Sequence, residues 1–190
     1  EAYCLGVSRQ RAMVSDYSRT ATGGGYRYID ISAAMPYVDF VNIMTYDLSS
    51  APQYHSSIYH PSSYMDCYRA VENYAKCGVP YGKMVLGIPF YVRHAFEGDS
   101  QSVAYNRLAT LNSNYVADNW SDEARSPYVT HNGAFFGSYD NPRSIAIKGR
   151  WVKHLGLKGM FYWDSGSDDS AYTLSRAVWD AVYGLMREQQ

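Results

Sequence analysis

Three short stretches carry the residue types that could do chemistry: Met44-Thr45-Tyr46-Asp47, Pro89-Phe90-Tyr91-Val92-Arg93 and Tyr162-Trp163-Asp164. Each closes an apolar run that reads as a β-strand. In parallel α/β proteins the residues just past the strand C-termini build the site. On that reading one rim gathers a carboxylate, two tyrosines, an arginine and a tryptophan. An indole face flanked by phenols and a carboxylate suits a polar ring such as a sugar, because tyrosine and tryptophan pair a flat apolar face with a polar handle. Taken singly, each residue has a plainer role. Asp47 after a strand is a turn or capping residue, Arg93 pairs with a surface carboxylate, and Tyr46, Tyr91 and Trp163 are packing.

Other reactive types form no pattern. Cys4, Cys67 and Cys77 are an odd count without C-x-x-C spacing, so neither a disulfide framework nor a zinc site is expected. Cys67 and Cys77 read as buried apolar residues in or at the end of a helix. The five histidines, at 55, 60, 94, 131 and 154, lack ligand spacing and are assigned to surface or loop positions. Asp168-Asp169 is expected to cap the last helix and complement its dipole rather than hold a metal. No metal or cofactor is expected.

The elements that must position the rim alternate. Apolar runs at residues 2–7, 40–44, 84–90 and 158–163 read as strands, and apolarity on both faces is what helix-covered parallel strands need. Between them lie helices. Ser63 and Asp66 open one whose face carries Cys67, Val71, Tyr74 and Ala75, with Gly78 as its stop. Asn141-Pro142 opens a second that ends at Gly156. Leu174, Val178, Ala181, Val182 and Leu185 form the stripe of the last. Residues 94–139 break the alternation with a hairpin around Asn132-Gly133, the strongest short hairpin signal. The order βα-βα-β(insert)α-βα predicts a parallel sheet. Four strands are half of a (β/α)8 barrel, which takes ~250 residues.

The composition narrows the function classes. Lys plus Arg is 17 and Asp plus Glu is 18, a net charge of −1, which gives no basic footprint for nucleic acid. Hydrophobic residues make up 46% and charged ones 18% of 190, so a core can form, while no apolar stretch approaches the ~18 residues of a membrane span. Tyrosine is abundant, at 20 residues.

The ordered motifs resemble glycoside hydrolase family 18, the chitinase family. VNIMTYDL is similar to its Met-x-Tyr-Asp strand, and KMVLGIPFYVR to its next strand, with Val92 at a usual glycine. KGMFYWDSGSDD resembles its last barrel strand, with Trp163 followed five and six residues later by Asp168 and Asp169. The stretch FGSYDNPRSIAIKGRWVKHLGLKG matches the passage from insertion to seventh helix. The resemblance implies an α/β fold: the C-terminal half of a (β/α)8 TIM barrel, strands 5–8, with a small α+β insertion after strand 7. Residues 1–93 and 140–190 would form the half barrel and 94–139 the insertion.

The same resemblance implies cleavage of β-1,4-linked N-acetylglucosamine polymers, with the substrate's acetamido oxygen as nucleophile. Tyr46 and Asp47 would be catalytic, Tyr46 donating to the acetamido oxygen and Asp47 steadying the bent sugar. Met44, Tyr91, Arg93 and Trp163 would bind substrate, Trp163 as the floor beneath the ring. The family's acidic motif, which ends in the general-acid glutamate, is absent: Glu1, Glu72, Glu97, Glu123 and Glu188 end no such motif. The chain by itself is therefore expected to be inactive, either as a part of a chitinase-like enzyme or as a chitin-oligosaccharide-binding protein. Its expected partners are the sugar and either the missing N-terminal half or a second copy covering the exposed edges. Secreted or periplasmic use follows from the resemblance.

Overall fold

In the computed structural model, residues 11–15, 30–49, 51–59, 65–95 and 101–184 are described. The apolar run at residues 2–7, together with Ser63 and Leu185, lies outside them. Four strands form a parallel sheet in the order β1 (Arg11–Ser15), β2 (Phe40–Met44), β3 (Met84–Pro89), β9 (Gly159–Trp163). β2 alternates, with Val41 and Ile43 fully buried and Phe40, Asn42 and Met44 half-buried, as a strand does when its two faces differ. Every residue of β3 is buried. β9 departs from the expected burial on both faces: Tyr162 is 37% and Trp163 51% exposed. Its position at the edge of the described sheet explains the difference.

The helices are α1 (Ile31–Ala34), α2 (Cys67–Lys76), α3 (Pro142–Leu155) and α4 (Thr173–Tyr183). Asp66 caps α2 by accepting from Arg69 N at 2.8 Å, and the helix buries Cys67, Ala70, Val71 and Tyr74 against the sheet. Asn141 and Ser144 close a reciprocal capping box at the start of α3, and Gly156 ends it with φ +69°. α4 is capped from upstream: Asp168 accepts from Leu174 N and Ser175 N, and Asp169 from Thr173 N. Gly149 of α3 lies against Ala181 of α4, where an added Cβ would stand 2.5 Å from the Ala181 Cβ. That absent side chain lets the two helices approach closely.

A second, antiparallel sheet runs β5 (Ser102–Ala104), β4 (Tyr91–Arg93), β8 (Ala134–Ser138), β7 (Ser126–His131), β6 (Tyr115–Ser121). β7 and β8 join through Asn132 (φ +49°) and Gly133 (φ +80°), the two left-handed residues that a tight hairpin requires. Phe90 joins the sheets. It is fully buried, its N–H donates to Trp163 O at 2.8 Å, its carbonyl accepts from Tyr105 N at 2.9 Å, and its ring stacks on Tyr162 at 4.4 Å.

Candidate active site

The rim begins where β2 runs out. Thr45 is fully buried and ties the strand end to β3 through Gly87. The chain then turns sharply, because Asp47 adopts φ +58°, a left-handed conformation unusual for a non-glycine residue. This turn sends the Asp47 carboxylate towards the start of the second sheet. Oδ1 accepts from the Tyr91 hydroxyl at 2.8 Å and lies 3.4 Å from Arg93 Nε and 3.6 Å from His55 Nδ1. Burial pulls the Asp47 carboxyl up, but the Tyr91 hydroxyl and the Arg93 charge hold it below the usual carboxylate range. Asp47 is therefore a permanent anion at neutral pH.

The two tyrosines are the reverse case. Tyr46 is 8% exposed and its ring meets those of Tyr91 and Phe161 edge-on, with centroids 6.3 and 6.2 Å away. Burial, then the charge of Asp47, pushes its phenol far above the ordinary value. Tyr91 is raised by the same causes in the same order. Both remain protonated and can each offer a hydrogen to an acceptor. Tyr91 spends its hydrogen on Asp47. The Tyr46 hydroxyl, in contrast, is buried and has no hydrogen-bond partner among the described residues. A buried hydroxyl without a partner costs about 1–3 kcal/mol, and it is relieved when an acceptor arrives.

The structure thus joins Tyr46, Asp47, Tyr91 and Arg93 in one cluster. Met44, half-buried at the last position of β2, and Trp163, half-exposed at the last position of β9, flank it at the strand ends. The Trp163–Asp164 peptide is cis. His55 sits in a loop, as expected, but not at the surface: it is 0% exposed. The loop folds back so that His55 O accepts from Leu48 N at 3.0 Å and His55 N donates to Ser138 Oγ at 2.9 Å. Residue spacing carried no sign of that return. Behind it Asp140, Lys148, Ser56 and Ser144 form a buried network, with Lys148 Nζ 2.6 Å from Asp140 Oδ2. Among the described residues no group of three or more His, Cys, Asp or Glu side chains could hold a metal ion, and no helix is long and apolar enough to cross a membrane.

The family model for glycosyl hydrolases family 18 matches residues 8–168. The chain belongs to glycosyl hydrolase family 18. A class V chitinase of Lotus japonicus is 25% identical over 181 residues, covering 84% of this chain and 45% of that protein. Chitinase ChiW of Paenibacillus superposes with a TM-score of 0.81 at 24% identity, over 92% of this chain and 22% of that one. A class V chitinase variant of Nicotiana tobaccum, solved in complex with NAG4, gives 0.74 at 25% identity, over 90% and 55%. The family 18 chain described here therefore has a TIM-barrel-type fold, and it spans about half or less of the length of the curated relatives it matches.

Proposed function

We propose that this chain is the C-terminal part of a chitinase-like domain that acts on β-1,4-linked N-acetylglucosamine polymers. The carrying observation is the Tyr46 hydroxyl: protonated, buried and unpartnered among the described residues beside the Asp47 carboxylate. That hydrogen suits the acetamido oxygen of a sugar, the group that attacks the anomeric carbon in the substrate-assisted route. Asp47 then accepts from the acetamido N–H and steadies the positive charge of the ring as it closes. Tyr91 and Arg93 hold the carboxylate and reach neighbouring hydroxyl or acetyl groups. Trp163 is the apolar floor of the ring and Met44 the wall.

General-acid help to the leaving oxygen contributes typically 10²–10⁴-fold, and none of the five glutamates ends the family's acidic motif. We place that acid outside these 190 residues, so that the chain binds the sugar and does not turn it over. Strands 5–8 of the barrel would comprise residues 1–93 and 140–190, with 94–139 walling one side of the groove. The first half of the barrel, or a second copy, covers the inner face, and the protein is secreted or periplasmic, acting on an extracellular polymer.

Isothermal calorimetry with chitotetraose tests the reading. Heat is expected from the native chain at millimolar sugar and loss of it in Trp163→Ala. No heat from the native chain ends the proposal. Hydrolysis by the chain itself would overturn the assignment of the acid to another segment.

A further inference from the structure

The left-handed turn at Asp47 is held by an unusual acceptor. The Asp47 N–H donates to His55 Nδ1 at 3.2 Å, whereas Nδ1 lies 3.6 Å from the Asp47 carboxylate, too far for a hydrogen bond. A backbone amide has no lone pair to offer, so Nδ1 must present one. We infer that His55 is a positioning residue: its neutral imidazole, with the proton on Nε2, fixes the Asp47 backbone and thereby aims the carboxylate at Tyr91 and Arg93.

Everything around the ring supports one fixed pose. The main chain of His55 is pinned on both sides, to Leu48 N and to Ser138 Oγ, and its ring lies against Tyr91 with centroids 5.4 Å apart. A non-glycine residue in the left-handed region is unfavourable by roughly 1–2 kcal/mol, so Asp47 holds that geometry only while something compensates. A protonated ring would turn Nδ1–H against the amide N–H and abolish the bond. The charged and titratable groups around it are Asp47 in the β2 turn, Tyr91 on β4, Asp140 after β8 and Lys148 on α3. Burial disfavours the cation most; Asp47 and Asp140 oppose that, and Lys148 adds to it. Nε2 has no partner among the described residues, so the neutral tautomer carries an unmet donor there. The ring therefore sits where it serves Asp47 rather than where its own two nitrogens are best satisfied.

The inference rests on the sugar-site reading only for its functional consequence; its test needs no sugar. Long-range ¹⁵N–¹H correlation spectra of the full 190-residue chain are expected to show His55 protonated on Nε2 and bare on Nδ1 at neutral pH. A proton on Nδ1 overturns the inference. In a second arm, His55→Asn places a carbonyl where Nδ1 stood, and His55→Leu keeps the bulk without the acceptor. Exchange protection of the Asp47 amide should survive in His55→Asn and fall about tenfold or more in His55→Leu, the loss of one hydrogen bond. Equal protection in the two variants would show that packing, not the acceptor, holds the turn. Should His55→Leu fail to fold, the tautomer of the native chain decides. A chain that shows the expected tautomer and binds no chitotetraose sinks the sugar reading and leaves this one standing.

Discussion

The hydroxyl of Thr45 bonds both backbone groups of Gly87, accepting from its N–H at 2.9 Å and donating to its carbonyl at 2.8 Å. One side chain thus extends the β2–β3 ladder beyond the Ile43–Leu86 pair, one residue before Tyr46. The approach is close because Gly87 has no side chain. A Cβ there would lie 2.8 Å from Ile43 O and from a Tyr46 ring carbon, and 2.9 Å from the Phe161 ring.

Gly87→Ala is accordingly expected to cost about 1–3 kcal/mol, the range for overpacking a core, because the backbone oxygen cannot swing aside. Urea unfolding measures the loss. Near-ultraviolet circular dichroism should change with it as the Tyr46 ring is pushed. A variant as stable as the native chain would show that the strands separate at no cost.

Tyr46→Phe should separate stability from function. Removing a buried hydroxyl that lacks a partner leaves the fold unchanged or stabilises it by up to about 1–3 kcal/mol. Chitotetraose affinity should fall about tenfold at least, the worth of one good hydrogen bond to a buried donor. Thermal unfolding and calorimetry on the same sample check both halves. Lower stability with intact binding would contradict the role given to this hydroxyl.

Lys148→Met leaves Asp140 buried with two hydroxyl donors and no cation. Breaking a buried pair from one side costs about 3–5 kcal/mol, so the urea midpoint should drop steeply. Replacing both partners, Asp140→Asn with Lys148→Met, should recover part of the loss. If the single variant unfolds at the native midpoint, the pair contributes nothing.

Acid should destabilise the chain through two groups of the same sign. Asp47 is depressed in the fold, so its contribution is full above the ordinary carboxylate value and is lost as pH falls through the folded one. His55 is depressed below 6.5, so the unfolded chain binds the extra proton first and stability declines from about that pH downwards. Unfolding free energy measured from about pH 7 to about pH 2 should fall for the native chain, first through His55 and below the ordinary carboxylate value through Asp47, and the first decline should be less steep for His55→Asn. A flat profile in the native chain would refute the linkage.

How much of this was readable beforehand differs by element. The strands at residues 40–44 and 84–89 and the cap at Asn141 were legible because local composition and turn chemistry decide them. The hairpin turn at Asn132-Gly133 was legible for the same reason. Tyr46, Asp47, Tyr91 and Arg93 could be nominated from strand-end position, and the structure brings them into contact. His55 could not be found that way. Its burial depends on a loop returning to Ser138, 83 residues onward, and no local pattern encodes a contact of that range. The exposure of Tyr162 and Trp163 was equally hidden, since an apolar strand reads the same at a sheet's edge as at its centre.

Phe90, the single residue between β3 and β4, makes the second sheet a module gripped at both ends. Its chain enters through Tyr91–Arg93, locked to Asp47, and leaves through Asp140, locked to Ser56 and Lys148. Insertions or deletions at the far turns of the hairpins, away from Ser138, which accepts from His55 N, and from Tyr128 and Phe135, which meet the Tyr54 ring, are expected to leave the rim in place. Reach and contour of the wall can therefore drift over generations while the chemistry beneath it stays put.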